Sequence, residues 1–299
     1  MSKSRILVIH RRSPYTDMVP GGATPDVADM FEANDPFVEN IVKAHEAHEN
    51  AMEQVAAALE RRDIESTWCH DLDGVDPDSF DLVVTVGGDG TVLHASHNIG
   101  GTPVLAVNSS PKTSVGFFTA CGARGFPAVL DQVLAGEARP TRLHRMSVSV
   151  GGEVVSDRVL NDVLFCHDCP ASTTRYLLTL RGRSEDQVSS GVWVATAAGS
   201  TAAIRAAGGR QIQAGSGRLQ FAVREPGPCG GAEDYRLPTV THGFVEQGET
   251  LEIRSRTTAA RIYIDGPHVV FPVGFGDTVT FTGAADPLNL LGYGRQDFP

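Results

Sequence analysis

The residues with the most chemical potential lie in one run, Gly87-Gly88-Asp89-Gly90-Thr91. It directly follows Asp81-Leu82-Val83-Val84-Thr85-Val86, an apolar stretch that reads as a buried strand. A strand ending in glycines lets backbone N–H groups approach phosphate oxygens without a Cβ in the way. A helix opening after Asp89, through Thr91 to Ser96, would add its positive N-terminal end. A carboxylate repels phosphate, so Asp89 has no place in a loop that only holds an anion. It has one as the base for a hydroxyl nucleophile, or as a partner of magnesium. The bland alternative is a strand-to-helix turn in which Asp89 is the N-cap.

Other candidates are weaker. Cys166-His167-Asp168-Cys169 has zinc-like spacing, but no second pair of ligands accompanies it, and it reads as a turn with free thiols. Gly199-Ser200-Thr201 lacks the second glycine of a nucleophilic serine elbow. His45 and His48 fall on a helical pattern and read as packing or surface residues, and Lys112 and Arg124 as solvated loop charges.

The elements that must position these residues alternate over the first part of the chain. Ile6-Leu7-Val8-Ile9 is a strand, and Ser13 to Pro25 a surface loop. Phe37 to Arg62 carries helical spacing, and Pro103 to Val107 is a further strand. Phe126 to Leu134 is a helix closed by Gly136. Residues 1–140 therefore read as an α/β domain with a parallel sheet carrying the glycine-aspartate run at its ligand-binding edge. After Pro140 the pattern becomes β-rich. Ser147 to Val150 and the Gly151-Gly152 turn predict a hairpin, and further strands fall near Tyr176–Leu180, Val192–Ala195, Leu251–Arg254, Arg261–Ile264 and Thr278–Phe281. Thr201 to Ala207 is the one helical signal there. Residues 141–283 read as a β-rich second domain, with the tail 284–299 returning to the first.

Apolar residues make up 41% of the 299, enough for a packed core. The formal net charge of −11 opposes nonspecific binding to nucleic acid or anionic membranes. No apolar run has the length of a membrane span, no export signal is visible, and five scattered cysteines form no disulfide framework. The expectation is a cytoplasmic protein with reduced thiols.

The Gly87–Thr91 run resembles the GGDGT signature shared by NAD kinases, 6-phosphofructokinases and diacylglycerol-type lipid kinases. Later segments single out the first of these. Asn161-Asp162 is similar to the Asn-Glu/Asp motif of NAD kinases, and Thr196-Ala197-Ala198-Gly199-Ser200-Thr201-Ala202 to their TPTGSTA segment. Ala207-Gly208-Gly209 resembles their AGG, Ile264-Asp265-Gly266 their late Val-Asp-Gly turn, and Val115-Gly116-Phe117-Phe118-Thr119 their LGFL stretch. The resemblance implies an α/β domain, a C-terminal β-sandwich and an active site between them. It implies that Asp89 deprotonates the adenosine ribose 2′-hydroxyl of NAD for attack on the γ-phosphate of ATP, with Mg²⁺ or another divalent cation offsetting charge. Gly87, Gly88, Gly90 and Thr91 would surround the phosphates. His94 would approach one of them, and Phe117 would pack on adenine. Asn161 and Asp162 would hold a ribose, with Thr201, Ala202 and Ala206 on the nicotinamide side. The partners implied are small-molecule nucleotides, and the assembly a homodimer or homotetramer.

The sequence departs from the family at Ser190, where an aspartate is usual before Gly191, at Ala203 in place of tyrosine, at Ala197-Ala198, and over Asn108 to Ser114. Two other readings compete. One is a non-catalytic dinucleotide sensor, favoured by those departures and opposed by the intact Asp89. The other is a lipid or small-polyol kinase sharing the loop, opposed by the acidic charge and the second-domain motifs.

Overall fold

The computed structural model describes residues 4–13, 15–16, 36–230 and 235–293. Most of the loop expected over Ser13 to Pro25, and residues 294–299 of the tail, lie outside them. The chain divides into two compact units, Met1–Thr141 with Asn289–Pro299, and Arg142–Leu288.

The first unit alternates strand and helix: β1 (Arg5–His10), α1 (Pro36–Glu60), β2 (Glu65–Cys69), β3 (Leu82–Gly87), α2 (Asp89–Ser96), β4 (Val104–Asn108), β5 (Cys121–Gly122), α3 (Phe126–Leu134) and β6 (Pro140–Leu143). β2, β1, β3 and β4 pair in parallel in that order, and β5 pairs with β4. Every residue of β3 and β4 is buried, which is why both read as unbroken apolar runs rather than alternating ones. Ala51, Val55 and Leu59 of α1 and Phe126 and Leu130 of α3 share one core with Ile6, Val8, Val84, Val86 and Leu105. The expected helix to Arg62 stops at Glu60, because Asp63 takes a left-handed turn at φ 52°.

The second unit is a β-sandwich. Its strands are β7 (Met146–Val150), β8 (Glu153–Val159), β9 (Asp162–His167), β10 (Thr174–Leu180), β11 (Arg183–Ser189) and β12 (Val192–Ala195). After a one-turn helix α4 (Ala203–Ala206) come β13 (Leu219–Val223), β14 (His242–Val245), β15 (Leu251–Ser255), β16 (Ala260–Ile264), β17 (Val269–Val273) and β18 (Thr278–Gly283). One sheet runs β11-β10-β15-β18-β7-β8 and the other β14-β13-β12-β9-β16-β17. Inward residues of both sheets fill a single core that includes Val148, Tyr176, Ile253 and Phe281 from the first and Phe165, Val194, Phe221 and Ile262 from the second. Phe165 and Tyr176 meet edge-on with ring centroids 5.5 Å apart. A last strand, β19 (Leu288–Leu291), lies between β4 and β6 and runs parallel to β4.

The strands that sequence patterning does not single out are mostly edges. β2, β11, β14 and β17 each end a sheet. β11 is Arg-Ser-Glu-Asp-Gln-Val-Ser, and β17 contains Pro272. Charge and proline suit an edge that must not recruit further strands, and they erase the apolar signal of a strand. The helix expected over Thr201 to Ala207 is shorter, a 3₁₀ turn over Ala198–Thr201 followed by α4. Thr201 and Ala202 therefore precede α4 rather than open a long helix.

Candidate functional site

In the first unit the glycine-aspartate run sits at the carboxyl end of β3, where open parallel sheets bind ligands. Two glycines are fixed by contact. A Cβ on Gly87 would lie 2.0 Å from Thr91 Oγ1, and one on Gly88 2.8 Å from Ser114 Oγ. Gly90 meets nothing, so its backbone faces open space. Gly88 is the N-cap of α2 and Asp89 its first helical residue, which excludes the N-cap reading of Asp89. The Asp89 carboxylate instead reaches a distant turn: Phe117 N–H donates to Oδ2 at 3.0 Å and Phe118 N–H to Oδ1 at 2.8 Å. That turn begins at Gly116, whose φ of 69° and tight approach to Asn108 Nδ2 and Thr119 Oγ1 require glycine. Each Asp89 oxygen keeps lone-pair capacity for a further donor. The carboxylate is half-buried, so it remains reachable.

Phe117 is 42% exposed beside this carboxylate. His94 is exposed on α2, and no hydrogen bond among the described residues ties it to Asp89. Thr91 is buried, and its hydroxyl has no hydrogen-bond partner among the described residues. β19 delivers Tyr293, whose ring lies 6.4 Å from that of Phe118. Burial and, second, the charge of Asp89 raise its phenol.

In the second unit Asn161 lies in the short turn between β8 and β9, and Asp162 opens β9. Thr196 N–H donates to the Asn161 carbonyl at 2.9 Å, and Thr196 Oγ1 donates to the Leu160 carbonyl at 2.5 Å and accepts from Gly199 N–H at 3.1 Å. Gly199 sits on the backbone of Asn161 so closely that a Cβ would fall 2.0 Å from its carbonyl oxygen. The Thr196–Thr201 segment is thus folded onto the Asn161-Asp162 turn. Asp265, at φ 49°, closes the arrangement: its carboxylate accepts from the N–H groups of Leu160, Asn161 and Asp162 at 2.8, 2.7 and 3.1 Å.

Asp162 is 5% exposed, and its Oδ2 has no hydrogen-bond partner among the described residues. Burial first, and the neighbouring Asp265 charge second, push its carboxyl up to about 7. Thr201 and Ala202 are half-buried and Ala206 is exposed. Ser190 is set apart. β12 pairs with β9 so that Ala195 faces Asp162 and Val192 faces Phe165. Ser190 therefore lies level with the far end of β9, roughly 20 Å of strand from Asn161 at ~3.3 Å per residue.

The structure adds four residues that sequence reasoning did not assign a place: Ser114 against Gly88, Tyr293 near Asp89, and Thr196 and Asp265 behind Asn161. Thr196 and Asp265 left a trace, the one opening the Thr196–Ala202 segment and the other in an Asp-Gly turn, but the partners of Asp265 lie about a hundred residues earlier, beyond any local pattern. The five cysteines are all free, and among the described residues no three His, Cys, Asp or Glu side chains converge to hold a metal.

An α/β unit with an aspartate in a glycine-rich loop at the end of a parallel strand, together with a β-sandwich unit, is the architecture of the chain. The comparisons make it specific. Residues 31–138 match the ATP-NAD kinase N-terminal domain. The chain is 34% identical over 267 residues to a probable NADH kinase of Oryza sativa subsp. japonica, covering 82% of this chain and 81% of the relative. It is 33% identical to the NADH kinase of Arabidopsis thaliana, covering 96% and 94%. Among solved structures, the yeast NADH kinase complexed with NADH superposes with a TM-score of 0.72 at 16% identity, over 99% of this chain and 85% of that one. An NAD kinase from Archaeoglobus fulgidus in complex with ATP gives 0.67 at 18%, over 97% and 94%. The chain belongs to the NAD kinase family.

Proposed function

We infer that this protein phosphorylates NAD, in its oxidised or reduced form, at the adenosine ribose 2′-hydroxyl with ATP as donor. The observation that carries the reading is the held but reachable carboxylate of Asp89. Two backbone N–H groups fix both of its oxygens, so the carboxylate is held in one orientation toward an incoming hydroxyl. Asp89 accepts the hydroxyl proton, the freed oxygen bonds to the γ-phosphorus, and the bond from phosphorus to the β-bridging oxygen breaks, releasing ADP. The proton leaves Asp89 to solvent as NADP departs.

A divalent cation such as Mg²⁺ belongs in this scheme with the triphosphate, as part of the nucleotide substrate, because Mg²⁺ keeps several waters and binds mainly through substrate phosphates with one or two carboxylates. Gly87, Gly88, Gly90 and Thr91 supply the phosphate-binding turn, with His94 at its rim and Phe117 as a stacking face for a base. Asn161 and Asp162 take a ribose, Asp162 through the oxygen that has no protein partner. Thr201, Ala202 and Ala206 flank the nicotinamide end, and Ser190 stands away from them in this chain. A cytoplasmic location and a homo-oligomer complete the reading, supported by the family likeness; among the described residues no helix is long and apolar enough to cross a membrane.

The test is NADP⁺ or NADPH formation from NAD⁺ or NADH with ATP and Mg²⁺, read by a dehydrogenase specific for the phosphorylated product. Cation-dependent product that disappears in Asp89→Asn supports the assignment. Dinucleotide binding without product, at any donor including polyphosphate, would leave a sensor instead.

A further inference from the structure

The last strand returns the chain to the sheet that carries Asp89. β19 runs parallel to β4, with Leu290 opposite Val104 and Leu291 opposite Leu105, and β4 runs parallel to β3. The carboxyl end of β19 therefore emerges at the same edge as the glycine-aspartate run. Gly292 comes first. It has a φ of 72°, and a Cβ on it would lie 2.5 Å from Ala120 Cβ. A side chain there would collide, and the close fit fixes where the next residue starts. Tyr293 follows. Its ring lies against that of Phe118, with centroids 6.4 Å apart and planes tilted by 36°. Phe118 is the residue whose N–H holds Asp89 Oδ1 at 2.8 Å. Tyr293 is half-buried, and no hydrogen bond among the described residues occupies its hydroxyl. Strand, glycine and ring contact together set a phenol beside the pinned carboxylate, all within the first unit.

A free O–H at this place has a chemical use. A phosphoryl group moving toward a hydroxyl held at Asp89 brings oxygens that accept hydrogen bonds, and an ionised carboxylate only accepts. The two repel unless a donor stands between them. The N–H groups of Phe117 and Phe118 already donate to the carboxylate. A tyrosine is protonated at neutral pH, so its hydroxyl is a donor that adds no charge. Burial first, and the Asp89 charge second, raise this phenol further and keep it so. Resting on the reading of Asp89 as the base, we propose that Tyr293 is a further catalytic residue, whose O–H donates a hydrogen bond to an oxygen of the γ-phosphoryl group. The proton stays on Tyr293 throughout. The hydroxyl orients the group and stabilises its charge, and no bond to Tyr293 forms or breaks. A diphosphate lacks the oxygen that makes this contact.

The experiment compares the full-length wild type with Tyr293→Phe, which keeps the ring against Phe118 and deletes only the hydroxyl. Calorimetry gives the affinity of each for ADP and for the β,γ-imido analogue of ATP, both with Mg²⁺. Steady-state kinetics gives kcat and KM for NADP⁺ formation, and thermal melting reports the fold. In Tyr293→Phe the affinity for the imido analogue should fall about tenfold, while that for ADP stays within about twofold. With it kcat should fall by about 10–100-fold, KM for NAD⁺ staying within about twofold and the melting temperature unchanged. A merely structural Tyr293 acts through its ring, so Tyr293→Phe would match wild type in both affinities and in kcat, which overturns the proposal. Equal weakening of ADP and the imido analogue overturns it too, since the hydroxyl would then not single out the γ-phosphate. A wild type that binds the imido analogue but forms no NADP⁺ would sink the kinase reading, and the binding comparison would still decide whether Tyr293 meets the γ-phosphate. Binding of neither nucleotide by wild type would overturn both.

Discussion

Two turns of this molecule solve the same problem with opposite assignments of labour. Each is a loop pinned by a remote carboxylate that accepts backbone N–H groups. In the first unit the pinning carboxylate is Asp89 itself, half-exposed, with two N–H donors from Phe117 and Phe118. In the second the pin is Asp265, and the carboxyl we propose for the ribose is a different residue, Asp162, buried and with one oxygen that has no hydrogen-bond partner among the described residues. The difference matches the roles we propose for them. A base must be reachable, so it gains from standing near the surface. A group that recognises hydroxyls can be desolvated before binding, because the ligand supplies the missing partners.

The sharpest way to break the comparison is to change Asp89. Asp89→Asn should lower kcat by roughly 10²–10⁴ while NAD binding, measured by calorimetry, changes little. Turnover within about threefold of wild type would remove Asp89 as the base and make both carboxylates mere pins. Next is Gly199→Ala, which presses a methyl into the Asn161 carbonyl. Overpacking of this kind costs about 1–3 kcal/mol, so the melting temperature should fall and NAD affinity with it; Gly90→Ala, in open space, should leave the melting temperature unchanged.

Asp162→Asn tests the buried carboxyl through stability. Its folded-state value is raised from 3.8 to about 7, so the folded state holds a proton that the unfolded state has lost between those values, and stability falls as pH rises through that window. Asp162→Asn removes this cost. Relative to wild type it should be more stable at pH 8, by up to a few kcal/mol, and about equal near pH 4, while binding NAD more weakly. Equal denaturant midpoints at both pH values would show that Asp162 is ionised without penalty, and the contrast with Asp89 would vanish. The smallest effect is expected at Phe117→Ala: a rise in KM of about two- to fivefold with the melting temperature unchanged, since the ring is 42% exposed. A large loss of stability there would make Phe117 a packing residue.

The sequence by itself determined the elements whose signals are local. A strand buried on both faces, such as Leu82–Gly87, is an unbroken apolar run. The glycines that follow it, and the aspartate among them, carry their chemistry in their residue types. The Phe126–Leu134 helix is closed by Gly136 at φ 72°, a conformation its lack of a side chain permits. The Gly151-Gly152 hairpin follows the same logic, both residues having positive φ. What the tertiary structure alone decided are the pairings over long separations. Asp89 meets Phe117 and Phe118, Asp265 meets Leu160 to Asp162, Gly199 lies on Asn161, and Ser190 falls level with the opposite end of β9 from Asn161. These depend on strand register and loop closure, which no window of sequence encodes. The edge strands β2, β11 and β17 escaped for the opposite reason: their polar residues and proline protect an exposed edge, and so hide the pattern by which a strand is recognised.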